Sequence, residues 1–85
     1  MIARRAIVSG RVQGVFFRAW VADAADRAGV AGWAENLADG SVEVHAEGEP
    51  GAVEAVLAAA RSGPARADVA VREVAPEGCS GFSSR

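Results

Sequence analysis

The chain has 85 residues, 11 acidic and 9 basic side chains and a formal net charge of −2, and every basic residue is Arg. The absence of Lys excludes lysine Schiff-base chemistry and a lysine-dependent phosphate loop. One His and one Cys exclude structural zinc, iron–sulfur ligation by this chain alone and an internal disulfide, and leave His45 as the only histidine for a Ser-His-Asp arrangement.

A chain of this length forms one core, so residues 1–85 are expected to be a single domain. Ala supplies 20 positions against three Phe and two Trp. The weakly acidic balance argues against nucleic acid as a partner. No apolar run approaches the roughly 20 residues of a membrane span, and the N-terminus lacks a signal-peptide core. The expectation is therefore a cytoplasmic protein with no membrane partner and with Cys79 reduced.

Residues 6–12 alternate, with Ala6, Val8, Gly10 and Val12 on one side and Ile7, Ser9 and Arg11 on the other, which predicts a half-buried strand. Gln13-Gly14-Val15 interrupts it. From Phe17 the period lengthens: Phe17, Val21, Ala24, Ala25 and Ala28 share a helical stripe, Asp23, Asp26 and Arg27 oppose it, and Gly29 ends the helix. Trp33–Ala38 predicts a second strand, Asp39-Gly40 a hairpin turn, and Val42–Glu47 a third strand. After the loop 48–51, with Pro50 suited to a helix start, Val53, Val56, Leu57 and Ala60 mark a second helix closed by Gly63-Pro64. Ala67–Val74 predicts a fourth strand, and a short fifth is possible around Phe82.

The order β-α-β-β-α-β, with one apolar stripe per helix, predicts an α+β fold of ferredoxin-like βαββαβ form. Two helices would pack on one face of an antiparallel sheet. That fold hosts enzymes, binding modules and regulators alike, so function must come from a site.

The first candidate site is the run Gly10-Arg11-Val12-Gln13-Gly14-Val15-Phe16-Phe17-Arg18, between the first strand and the first helix. A loop entering a helix offers unpaired N–H groups and a dipole that favours an anion. Gly14 lets the backbone curl so that successive N–H groups converge. A cation at a helix N-terminus is unfavourable by some tenths of a kcal/mol, so Arg18 either meets an anion there or pairs with a surface carboxylate. The second candidate is Asn36, a residue type depleted in strands. It either bonds locally or holds a water.

Gly10 to Arg18 closely resembles the signature loop of acylphosphatases. Gly32-Trp33, Asn36, Asp39-Gly40 and Val42-Glu43 resemble that family's second block, and Gly48, Gly63-Pro64 and Ala67 fall at matching spacings. The resemblance runs from about Ala6 to Phe82. It implies hydrolysis of acyl phosphates to a carboxylate and inorganic phosphate, with no metal or organic cofactor. It further implies that Arg18 and the backbone amides of the loop Gln13, Gly14, Val15, Phe16 and Phe17 bind the substrate phosphate, and that Asn36 positions the attacking water. A monomer is the default expectation.

Ala34 and Glu35 depart from the family pattern, as does Ser84, which bears on how the last strand packs. Strand alternation sends Glu35 to the face opposite Asn36. His45 reads as a sheet-face or exposed histidine, Cys79 as an inert thiol, and Trp33 and Phe82 as core anchors. Phe16, Phe17 and Trp20 either pack or line the mouth, with packing favoured for Phe17. Two other readings fit the fold: an anion- or RNA-binding module without turnover, and a fragment of a carbamoyl-phosphate-handling maturation enzyme.

Overall fold

A computed structural model of the chain describes residues 1–14, 16–63 and 67–85. Seven elements follow one another: β1 (Ile2–Gly10), α1 (Phe17–Ala28), β2 (Ala31–Asn36), β3 (Val42–Gly48), α2 (Pro50–Arg61), β4 (Ala67–Val74) and β5 (Phe82–Ser84). The sheet order is β4-β1-β3-β2-β5. β3 lies antiparallel between β1 and β2, and β1 lies antiparallel between β3 and β4. Each helix therefore links two parallel strands with a third inserted between them, which is the split βαβ of the ferredoxin-like fold.

The expectation of an antiparallel sheet holds for β1 to β4. β5 corrects it, because it pairs in parallel with β2, through Gly32–Phe82, Trp33–Ser83 and Ala34–Ser84. The reason is topological. The chain leaves β4 at one edge and crosses to the opposite edge through residues 75–81, so it enters β5 running alongside β2 rather than turning back on it.

Strand alternation divides the sheet into two faces. On one, Ala6, Val8, Ala34, Val42, Val44 and Ala46 meet Phe17, Val21 and Ala25 of α1 and Val53, Val56, Leu57 and Ala60 of α2. The predicted α2 stripe is wholly buried, while Ala24 and Ala28 of the α1 stripe are only half-buried. α1 closes as its sequence suggests: Gly29 adopts φ 71, and its N–H reaches the carbonyls of Ala25 and Asp26. Pro64, expected to help close α2, lies outside the described residues; the helix ends at Arg61 with Ser62 as its cap.

Two strand boundaries move. β1 begins at Ile2, four residues before the alternation becomes legible, because Arg4 and Arg5 obscure the apolar pattern. Both find carboxylates, Arg4 with Glu73 at 3.4 Å and Arg5 with Glu77 at 2.8 Å. β2 runs 31–36 rather than 33–38. It ends at Asn36 because the Leu37 N–H already closes the hairpin on the Ser41 carbonyl at 2.8 Å. No helix among the described residues is long and apolar enough to cross a membrane.

The second face of the sheet holds a polar network. His45 and Glu47 stand two apart on β3 and are 0% and 2% exposed. The Glu47 carboxylate accepts from the Glu77 N–H at 2.7 Å, the Cys79 N–H at 2.6 Å and His45 Nε2 at 2.7 Å. An Arg5 guanidinium nitrogen donates to His45 Nδ1 at 3.2 Å and to Glu77. Trp33 stacks on His45 at 5.6 Å and donates Nε1 to Glu77 at 2.8 Å. Residues 77–79 are thus held over the sheet by a carboxylate whose neighbours supply every hydrogen bond that burial demands. Trp33 is an anchor, as expected, but on this face rather than in the helix-side core, where Phe82 packs.

Candidate active site

Gly10 leaves β1 with φ 114, and the Val12 N–H turns back to the Gly10 carbonyl at 3.0 Å. The Gln13 side-chain amide then donates twice, to the carbonyls of Leu37 at 2.8 Å and Ser41 at 2.9 Å. Both Gln13 side-chain donors are thus spent tethering the loop to the β2–β3 hairpin. Asp39 braces that hairpin by accepting from the N–H and hydroxyl of Ser41 at 2.9 and 2.5 Å, which holds its carboxyl below the usual range. Gln13 therefore fixes the loop relative to Asn36, which ends β2.

Past Gly14 (φ 77) and Val15, the latter outside the described residues, Phe16 caps α1 in the left-handed conformation at φ 60, ψ 26. A non-glycine residue there costs about 1–2 kcal/mol. α1 has no side-chain cap and no acid in its first turn. Its first N–H groups lack intrahelical partners, and the positive end of its dipole is uncompensated by protein.

A cavity of about 300 Å³ opens at this end, lined by Val12, Gln13, Gly14, Phe16, Phe17, Arg18, Ala19, Asn36 and Ser84. Every sequence-expected site residue among those described lines it. Among the described residues Arg18 pairs with no acidic side chain: its guanidinium donates to the main-chain oxygen of Arg85. Asn36 is exposed at the strand end, and among the described residues its amide has no hydrogen-bond partner, which disfavours a purely local role. Phe17 is 1% exposed and seals the floor, whereas Phe16 is 85% exposed at the rim. Trp20 is half-exposed but ties α1 to α2 through Nε1 to the Ala59 carbonyl at 2.8 Å, away from the cavity.

Ala19, Ser84 and the Arg85 oxygen had no place in the expected site. Ala19 follows from the helix turn after Phe16. The Arg85 contact spans 67 residues of sequence, and nothing local announces it.

Together these groups can hold a tetrahedral anion. Backbone N–H groups and a helix dipole face it, a guanidinium fork supplies positive charge, and a neutral amide stands beside it to order a water. No carboxylate, imidazole or amine lines the cavity among the described residues.

Among the described residues a metal has one conceivable place elsewhere, since donor atoms of His45, Glu47 and Cys79 lie within 4.8 Å of one another. The hydrogen bonds argue against it. Arg5 can only donate, so His45 Nδ1 accepts and Nε2 carries the proton, leaving it no lone pair to offer. Burial and then the Glu47 and Glu77 charges push the Cys79 thiol up, away from the thiolate a metal needs.

Comparison with known proteins follows the same lines. The sequence profile of the acylphosphatase family matches residues 4–83. The acylphosphatase of Acidiphilium cryptum (strain JF-5) is 52% identical over 69 residues, covering 81% of this chain and 76% of that one. The crystal structure of acylphosphatase from Bacillus subtilis superposes with a TM-score of 0.95 at 40% identity, covering 100% of this chain and 99% of that one. The structure of T. kodakarensis HypF also matches, with a TM-score of 0.86 at 30% identity, covering 100% of this chain but 12% of that one.

Proposed function

Because the chain belongs to the acylphosphatase family, and hydrolyses acyl phosphates to a carboxylate and inorganic phosphate, we propose that Arg18 and the α1 N-terminal amides grip the phosphoryl group while Asn36 places the attacking water. The observation that carries this reading is the convergence on one cavity of a helix N-terminus without a side-chain cap, Arg18 and an Asn36 amide that has no partner among the described residues.

The mechanism needs few groups. The water oxygen attacks phosphorus from the side where Asn36 accepts and donates hydrogen bonds. The phosphorus–acyl oxygen bond breaks on the opposite side, and its electron pair leaves on a carboxylate. The corresponding acid has a pKa of roughly 4–5, like Asp or Glu side chains, so no general acid is required. Negative charge spreads over the equatorial oxygens, where the Arg18 fork and the amides of residues 16–18 meet it without reorganising. With no titratable base lining the cavity among the described residues, a non-bridging oxygen of the substrate phosphate takes the water proton. Charge stabilisation supplied by Arg18 and the dipole removes the need for a bound cation, so the reaction proceeds without metal.

The test follows the loss of benzoyl phosphate in excess chelator, with the wild-type protein beside Arg18→Ala and Asn36→Ala. Undiminished wild-type turnover and large losses in both folded variants support the reading. Turnover abolished by chelator, or folded variants of near-normal activity, would defeat it.

A further inference from the structure

Substrate preference has a candidate in one residue of the rim. In-line displacement sends the acyl group to the side of phosphorus away from the water, and out of the phosphate cradle. Of the described residues lining the cavity, Val12 and Phe17 are sealed in the core, Gln13 is spent on the hairpin, Gly14 has no side chain, and Ala19 is small. Arg18, Asn36 and Ser84 are polar. Among the described residues of the cavity, Phe16 alone offers a large apolar surface that is still open to a ligand.

Its backbone explains why the ring is there. Phe16 is the N-cap, at φ 60, so its side chain stands outside the helix, packed against nothing that buries it. An exposed aromatic ring on a strained residue beside the reacting centre is otherwise unfavourable twice over, by hydration and by backbone conformation.

We propose that Phe16 is the acyl-group contact that sets this enzyme's preference, favouring aromatic and other broad apolar acyl phosphates over acetyl phosphate. This rests on the roles of Arg18 and Asn36 given above. A flat acyl group covers the ring in an offset or edge-to-face arrangement, which a methyl group cannot match. The remainder of the acyl group projects into solvent and is not discriminated.

The experiment compares kcat/KM for benzoyl and acetyl phosphate in wild type, Phe16→Gly and Phe16→Leu. The change in that ratio from wild type to variant cancels the intrinsic reactivity of the two acyl phosphates. Gly adopts the left-handed backbone freely, so the loop keeps its shape without a side chain. Leu retains the backbone strain and loses only the ring. The benzoyl-to-acetyl ratio is expected to fall about tenfold in Phe16→Gly, equivalent to roughly 1.4 kcal/mol, and by less in Phe16→Leu. Inhibition constants of phenylphosphonate and methylphosphonate, measured against the same reaction, should change ratio in parallel. A benzoyl-to-acetyl ratio unchanged within twofold in both active variants overturns the proposal and leaves the catalytic reading standing. A wild-type protein that hydrolyses neither acyl phosphate overturns the catalytic reading itself.

Discussion

The Arg18 guanidinium donates to the main-chain oxygen of Arg85, joining the first turn of α1 to the residue that follows β5. Arg85 is held from two other directions: its N–H reaches the Ala34 carbonyl at 2.7 Å, and its guanidinium lies 4.5 Å over the Trp33 ring. One terminal nitrogen of Arg18 is thereby fixed on protein, and among the described residues its remaining donors have no partner.

Arg18→Ala removes the charged fork. The expected loss is at least 10²–10³ in kcat/KM for benzoyl phosphate, the effect of deleting one preorganised donor to developing charge. The lost hydrogen bond is exposed, so stability should fall by only about 0.5–1.5 kcal/mol. Arg18→Lys should recover little activity, because a point charge cannot reproduce the planar fork. Steady-state kinetics beside thermal unfolding check both halves.

Asn36→Ala should separate two kinetic constants. The amide acts on water rather than on the phosphate, so kcat is expected to drop by about 10²–10³ while KM moves little. An equal rise in KM with kcat preserved would instead assign Asn36 to substrate binding.

Glu47 should control acid stability. Burial pushes its carboxyl up, but hydrogen bonds from His45 and from the amides of Glu77 and Cys79 outweigh it and leave the group below its ordinary value of 4.5. A depressed carboxyl contributes stability that is full above the unfolded value near pH 4.5 and is lost as pH falls through the folded value. Glu47→Gln should therefore lose about 1–3 kcal/mol at pH 7 and show a flatter dependence of stability on pH below 4.5. Urea unfolding at several pH values measures both.

Gly32→Ala should not fold. A Cβ at this position would lie 1.8 Å from the His45 carbonyl oxygen, on a backbone at φ 145. Relief would require β2 and β3 to separate, at a cost expected to exceed about 4–5 kcal/mol. Circular dichroism of the purified variant would show whether the sheet survives.

The helix-side half of the molecule was legible because its apolar residues obey local periods. Val53, Val56, Leu57 and Ala60 stand at helical spacing and are all buried, and Gly29 sits where a left-handed cap was required. Glu43, His45 and Glu47 alternate in the same plain way, which left His45 readable as either a sheet-face or an exposed residue. The chain returns over that face, and Glu47 meets the amides of Glu77 and Cys79, residues 30 and 32 positions away. Alternation reports which residues share a face but not what lies across from it.

The sequence by itself determined the two split βαβ units, the loop running into α1, and the residue types at Arg18 and Asn36, since periodicity, glycine positions and motif spacing are local properties. Tertiary structure alone decided that β5 runs parallel to β2, that Gln13 spends its amide on the carbonyls of Leu37 and Ser41, and that Arg18 meets Arg85. These are contacts between segments far apart in the chain. Their partners are mostly backbone atoms, which every residue carries and no side-chain pattern distinguishes.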